Sequence, residues 1–413
     1  MSWRVVAICA VVVVSMLTVA GCRPSPSPVS RAKIAADETI KERTASVDNV
    51  GDQPSQRREV VKRWSRAGYQ RPPVVDFHGH LSAFGVDRIA SIMDGNGIDL
   101  IVNLSGGSGR RDERAWVMAQ MLSRVLGGRI INFANVDWKG FGEADWARRE
   151  ADRLDHVVRT RGFRGLKISK ALGLSVTDEA GRLAAVDDAR IGPLWAKAAE
   201  LRIPVSIHVA DPRAFWLPLD EKNERFEELS AHPSWSYARR DDVPSWSALL
   251  DAAERLYKAQ PKTTFVAVHF GNAAEDIERV DRMLDSCPNV WIDISARVGE
   301  FGRHKPERVR AFFIKHQDRI LFGSDIAVSD DYLMLGSNGE EVPKMAAVGP
   351  FYEAHFRYLE GKARQIPHPS PIQGRWKVDA VELPAKVLDK VYRLNAVRLL
   401  GQSRLQAPSG DGR

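Results

Sequence analysis

The chain has 413 residues, with 60 basic and 53 acidic side chains, a formal net charge of +7 and a hydrophobic fraction of 44%. That length and apolar content suit one large globular domain with extensions. The two signs of charge are interspersed, with no basic stripe among aromatics, so the surplus reads as solvated surface and no nucleic-acid partner is expected.

The first element is an apolar run. Arg4 precedes Val5 to Val14, and Met16, Leu17 and Val19 extend the run before it closes in Ala20-Gly21 and Cys22. A positive tip, a short apolar segment and small residues at a cleavage point describe an export signal over residues 1–21, too short for a comfortable hydrocarbon span. Leu17-Thr18-Val19-Ala20-Gly21-Cys22 also resembles a bacterial lipoprotein signal, in which the cysteine becomes the acylated first residue. That resemblance implies a lipid-membrane partner through Cys22. Arg23, in place of an aspartate at the next position, implies sorting to the outer membrane, facing the periplasm. Cys9 leaves with the signal, so Cys287 alone stays free and no intramolecular disulfide is expected. Residues 22–70 are Pro/Ser-rich and then charged, and they read as a flexible tether.

After Pro72-Pro73, β-branched runs alternate with amphipathic stretches. Strands are expected at Val74–His78, Leu100–Leu104, Ile130–Ala134, Gly165–Ile168, Pro204–His208, Thr264–His269, Val290–Ile294 and Ile320–Phe322. Helices are expected at Val86–Met93, Glu113–Val125, Glu143–Thr160, Ala185–Ala199, Trp246–Ala259, Ala274–Leu284, Pro306–Lys315 and Pro384–Leu400. Eight strand–helix units predict an α/β fold, a (β/α)8 TIM barrel over residues 71–402, with a flexible tail over 403–413. A doubly wound open sheet is the alternative. Long connections run from Asp211 to Ser245 after the fifth strand and from Ile326 to Leu383 after the eighth. Both leave the barrel face on which such enzymes build their sites.

The polar residues at strand ends carry the chemistry. In Asp76-Phe77-His78-Gly79-His80, alternation along an extended chain points His78 and His80 to one side. His208, His269 and Asp325 each terminate an apolar run that should be barrel wall. Imidazoles and a carboxylate at such places are costly to bury without partners, and a divalent metal supplies one. A nitrogen-plus-carboxylate set favours Zn, with Mn and Fe as alternatives. No phosphate loop or dinucleotide fingerprint occurs. His232, His304, His316, His355 and His368 are assigned to surfaces or loops.

The order Asp-x-His-x-His, Lys, His, His, Asp on strands one, four, five, six and eight resembles the amidohydrolase superfamily. Gly165-Leu166-Lys167, His269-Phe270-Gly271-Asn272, Phe322-Gly323-Ser324-Asp325 and Leu383-Pro384…Asn395-Ala396 are most similar to the branch containing aminocarboxymuconate-semialdehyde decarboxylase, related aromatic-acid decarboxylases and metal-dependent hydrolases. The resemblance implies one metal held by His78, His80, His208 and Asp325. It also implies that His269 orients or deprotonates the attacking water and that Asp325 passes a proton to the leaving group. Lys167 is expected near the site as a charge, the alternative being a carboxylated lysine bridging two metals. The expected reaction is hydrolysis of a small C–N, ester or lactone bond. Non-oxidative decarboxylation of a small aromatic or unsaturated acid, or an inactive anchored binding protein, are the other readings. Arg110 and Arg111, in the glycine-rich stretch after the second strand, and Arg297, after the seventh, suggest a small acidic substrate. Arg297 could equally pair with Glu300, and Trp138 could floor the pocket or join the core. A homo-oligomer is compatible with all of this.

Overall fold

The computed structural model describes residues 64–108 and 113–401. The export signal, Cys22, the tether up to residue 63, Arg110, Arg111 and the C-terminal tail lie outside the described residues.

Eight parallel strands form the barrel. They are β1 (Val74–Leu81), β2 (Ile98–Asn103), β3 (Ile130–Asn132 with Ala134–Asn135), β4 (Leu166–Ile168), β5 (Val205–Ile207), β6 (Phe265–Ala267), β7 (Val290–Asp293) and β8 (Ile320–Leu321 with Ile326–Val328). Two of them are interrupted, and each half belongs to a different hydrogen-bonded sheet. β3 pairs with β2 through Asn132 and with β4 through Asn135. β8 pairs with β7 through Ile320 and Leu321 and with β1 through Ile326 to Val328. The two sheets therefore join at β3 and β8 into one ring.

Alternate strand residues serve two cores, as a period of two requires. Val74, Ile101, Phe265, Ala267 and Ile320 pack outward with helical residues such as Ile89, Leu122 and Leu284. Val75, Phe77, Val102, Val266, Val268 and Leu321 form a second buried cluster, with Leu399 and Leu400 of the last helix. The ladder between β1 and β2 slips between Asp76 and Gly79. Phe77 thus joins the interior cluster while the next residue, His78, also reaches an inward group, Asp293 on β7.

The helices packed on the ring begin and end where side chains dictate. Gly97, at φ 71°, ends the helix Val86–Asn96. Ser245 and Asp276 cap the starts of Trp246–Ala259 and Ile277–Ser286. The Asp276 cap is why the latter helix starts later than the apolar pattern from Ala274 suggests. The helix expected from Ala185 starts only at Gly192, after a 3-10 turn at Ala189–Ile191 that Asp188 caps. The C-terminal helix contains a π turn, Lys390–Leu394, and there the Val391 carbonyl accepts the N–H of Phe322, in the break of β8, at 2.9 Å.

Both long connections are present. The one after β5 holds a short helix, Phe226–Ala231. The one after β8 holds an antiparallel strand, Leu333–Leu335, and a thirteen-residue helix, Val348–Glu360, read from sequence only as loop. No helix among the described residues is long and apolar enough to cross a membrane.

Candidate metal centre

His78 is fully buried at the end of β1. Its Nδ1 lies 2.8 Å from Asp293 Oδ2 and 2.8 Å from Ser295 Oγ. With Nδ1–H donated to the carboxylate, Nε2 carries a lone pair, as a metal-ligating imidazole requires. That Nε2 is 3.3 Å from Asp325 Oδ1 yet makes no hydrogen bond. His80 is less buried, with Nδ1 2.7 Å from Ser105 Oγ and Nε2 3.4 Å from the same Asp325 oxygen.

Asp325 sits in the break between the two halves of β8, at a left-handed φ of 63°, and its N–H donates to the His78 carbonyl at 2.9 Å. Burial opposes its ionisation, but the neighbouring His78, His80 and Lys167 outweigh burial and hold the carboxyl below the usual range. His269 and Phe270, after β6, are also left-handed, at 55° and 57°. Such backbone in residues other than glycine is strained, at about 1–3 kcal/mol each, and is found where a site over-determines it. His269 Nδ1 lies 3.0 Å from both the carbonyl and the hydroxyl of Ser295, which leaves Nε2 for the site.

The ring of His269 is 4.7 Å from that of His78 and 4.4 Å from that of His208. One ligating atom each from His78, His269 and Asp325 lie within 4.8 Å of one another. That group includes His269, which the sequence set apart as a base, while His80 and His208 lie beside it. Burial pushes all three inner imidazoles toward neutrality, His208 down to about 4, and neutral imidazole is the form that ligates metals. Lys167 is buried beside them, its ammonium brought down to about 8 chiefly by burial. His78 Nε2, His208 Nε2 and Lys167 Nζ have no hydrogen-bond partner. The two imidazole nitrogens, with the Asp325 carboxylate, fit a divalent cation, whereas an ammonium at Lys167 supplies charge and not a ligand.

Three acids that sequence reasoning left without a role support this arrangement. Asp293 accepts from His78, from the His269 N–H at 2.9 Å and from the Ser295 N–H and hydroxyl. Asp76 faces away from the cluster and ties β1 to the β8 break, accepting from the Ser324 N–H and hydroxyl and from Tyr352. Asp211 accepts from Lys170 at 2.6 Å and Tyr237 at 3.0 Å and approaches His208 Nε2 at 3.5 Å. Asp293 ends β7 just as the histidines end their strands, and that shared position was its available signal.

A cavity of about 150 Å³ opens beside His208, His269 and Asp325, and Arg297 lines it. Trp138 does not line it. Its ring stacks on Trp146 at 5.3 Å and meets Phe141 edge-on at 6.0 Å, so the pocket-floor expectation gives way to core packing. Phe215 and Trp235, from the loop after β5, supply the aromatic wall.

The remaining histidines have local bonds. His316 binds Asp281 at 2.6 Å, beside Lys315, which also neutralises Asp285. His355 and His368 are buried and bonded to backbone carbonyls; His368 lies in a loop, as expected, whereas His355 sits in the helix Val348–Glu360 and not on a surface or loop.

No curated protein matches the chain. Similar solved structures include 2,6-dihydroxybenzoate decarboxylase from Rhizobium, at 15% identity over 80% of this chain and 99% of that one, with a TM-score of 0.45. Another is 5-carboxyvanillate decarboxylase from Novosphingobium aromaticivorans with bound manganese, at 13% identity, 83% and 99% coverage and a TM-score of 0.45. A third is dihydroorotase from Campylobacter jejuni, at 12% identity, 84% and 88% coverage and a TM-score of 0.44. The amidohydrolase family model matches residues 75–402, from the first barrel strand to the last helix, and the chain belongs to this family of metal-dependent enzymes.

Proposed function

We propose that the chain is a metal-dependent hydrolase that directs an activated water at a small C–N, ester or lactone bond. The observation that carries this reading is the convergence of His78 and His80 on one Asp325 oxygen, with the rings of His269 and His208 next to His78 and no hydrogen bond at the buried His78 Nε2. His78, His80, His208 and Asp325 would hold one divalent ion, and their donor atoms suit Zn, with Mn and Fe compatible. Such an ion lowers the pKa of water and polarises a carbonyl.

The protein's own groups do the rest. Ser295 accepts Nδ1–H of His269, so Nε2 is the basic nitrogen and takes the water proton. Asp325, held ionised, accepts that proton in turn and delivers it to the leaving atom. Lys167 adds positive charge at the inner end of the site, the two-metal arrangement with carboxylated Lys167 being the alternative. Product formed in ¹⁸O-labelled water from a screen of amides, esters and lactones tests the reading. Release of carbon dioxide without solvent oxygen in the product assigns decarboxylation instead, and binding without turnover by metal-loaded protein assigns a binding module.

Metal content is the first expectation. His78→Ala and His208→Ala should each lower bound metal and activity, while His316→Ala, whose ring is occupied by Asp281, should change neither. Elemental analysis of folded protein decides it, and full occupancy with unchanged turnover in both strand-end variants rejects the site.

We also propose that the chain is exported and acylated at Cys22, anchoring it to the outer membrane on the periplasmic side. Its support is the apolar run closing in Ala20-Gly21-Cys22. Cys22→Ser should replace the lipidated form with precursor or soluble protein. An intact mass showing an unacylated mature start elsewhere removes this proposal and leaves the barrel untouched.

A further inference from the structure

The cavity beside the metal centre, at about 150 Å³, matches the size of an apolar cavity that holds benzene. Among the described residues three cations line it, Lys170, Arg225 and Arg297. Two of them already have carboxylate partners. Lys170 Nζ lies 2.6 Å from Asp211 Oδ2. Arg225 is buried, with Nη1 donating to Glu228 Oε2 at 2.6 Å and Nη2 paired with Glu300. Glu228 also accepts the Ser337 hydroxyl. One guanidinium thus joins the loops that follow β5, β7 and β8.

Arg297 differs. It is only 6% exposed, its Nη1 donates to the Ala296 carbonyl at 2.7 Å, and it forms no ion pair among the described residues. The charges of Asp211, Glu275 and Glu228 reach it only from beyond ion-pair distance. A guanidinium kept from water without a counter-charge is costly. Glu300, three residues along the chain, is its obvious partner, but Glu300 is engaged by Arg225.

We infer that Arg225 is a positioning residue that sequesters Glu228 and Glu300, leaving Arg297 free to receive the single carboxylate of a ring-sized substrate. This rests on the small-substrate cavity proposed above but not on which bond is broken there. Of the three cations among the described residues that line the cavity, Arg297 alone lacks a carboxylate partner, so the lining accommodates one acid group. A second would meet Lys170 and Arg225 already neutralised and would lose its hydration without compensation.

The test is calorimetric titration of metal-loaded protein with benzoate, its neutral isostere benzamide and the dianion phthalate. Benzoate should bind at least about tenfold more tightly than benzamide, the effect of one charge-assisted pair, and phthalate no more tightly than benzoate. Arg297→Met should abolish the preference for benzoate. Arg225→Met should abolish it too, because Glu300 is released onto Arg297 while Glu228 stays bonded to Ser337, and adding Glu300→Gln to Arg225→Met should restore it. A merely structural Arg225 would give no such rescue. Undiminished benzoate binding in either arginine variant, or no recovery in the folded double variant, overturns the inference. Should thermal melts show that Arg225→Met does not fold, Glu300→Gln alone decides. Unchanged benzoate affinity supports the assignment of Glu300 to Arg225, and tightening beyond about tenfold overturns it. A failure to find hydrolysis would leave these binding results intact.

Discussion

A His269→Asn protein should fold and retain most of its metal, yet turn over roughly 10²–10⁴-fold more slowly, the share usually carried by a general base. Asparagine is the right replacement because His269, at φ 55°, needs a residue that tolerates left-handed backbone. Its amide can still donate to the Ser295 carbonyl, which now receives His269 Nδ1–H at 3.0 Å. What it cannot do is accept and release a proton near neutral pH. The decisive measurement combines metal content, melting temperature and rate against pH. An unchanged rate and pH profile at full metal occupancy would make His269 architectural and turn attention to Lys167. Asp325→Asn should also lose turnover, with more metal loss, because it removes a ligand charge as well.

Asp293→Ala should weaken metal affinity by about 10–100-fold, the usual effect of deleting the partner of a ligating histidine. Its two oxygens accept from His78 Nδ1, the His269 N–H, the Ser295 N–H and the Ser295 hydroxyl, at 2.5 to 3.1 Å. Burial works against its charge, but His78 and these bonds prevail and hold it below the usual carboxylate range. Removal leaves several buried donors unpaired, at about 1–3 kcal/mol each, so metal-free protein should also melt earlier. Chelator competition measures the first effect and thermal denaturation the second. Wild-type metal affinity in a folded variant would show that Asp293 does not set the tautomer of His78.

Much of the barrel was legible because its strands are apolar runs ended by polar residues, a pattern that parallel pairing imposes. Trp246–Ala259 and Pro306–Lys315 match their expected bounds because a cap or a proline fixes the start. The strand-end residues His78, His80, His208, His269 and Asp325 stood out for the same reason, and they do converge. The supports were not legible. Asp293 reaches His78 across 215 positions and Asp211 reaches Lys170 across 41, and periodicity carries no information about such partners. Nor does an apolar pattern reveal the ladder slip between Asp76 and Gly79. The helix Val348–Glu360 was different, since Val348, Phe351, Tyr352, His355, Phe356 and Leu359 are spaced for one buried face. It was overlooked because its span had been treated as a single connection.

The closure of the ring at β8 has a consequence for how the protein comes into being. Asp76 bonds Ser324 across 248 positions, and His78 bonds Asp293 across 215. Bringing such distant segments together must precede the contacts that reward it, which makes this late and slow among folding steps. A nascent chain therefore exposes His78 and His80 long before it can offer Asp325 beside them. Metal capture should be the last event of maturation rather than a nucleus for it. A chain cut before Val391, lacking the carbonyl that holds the Phe322 N–H, should leave synthesis with its histidines present and its metal never acquired.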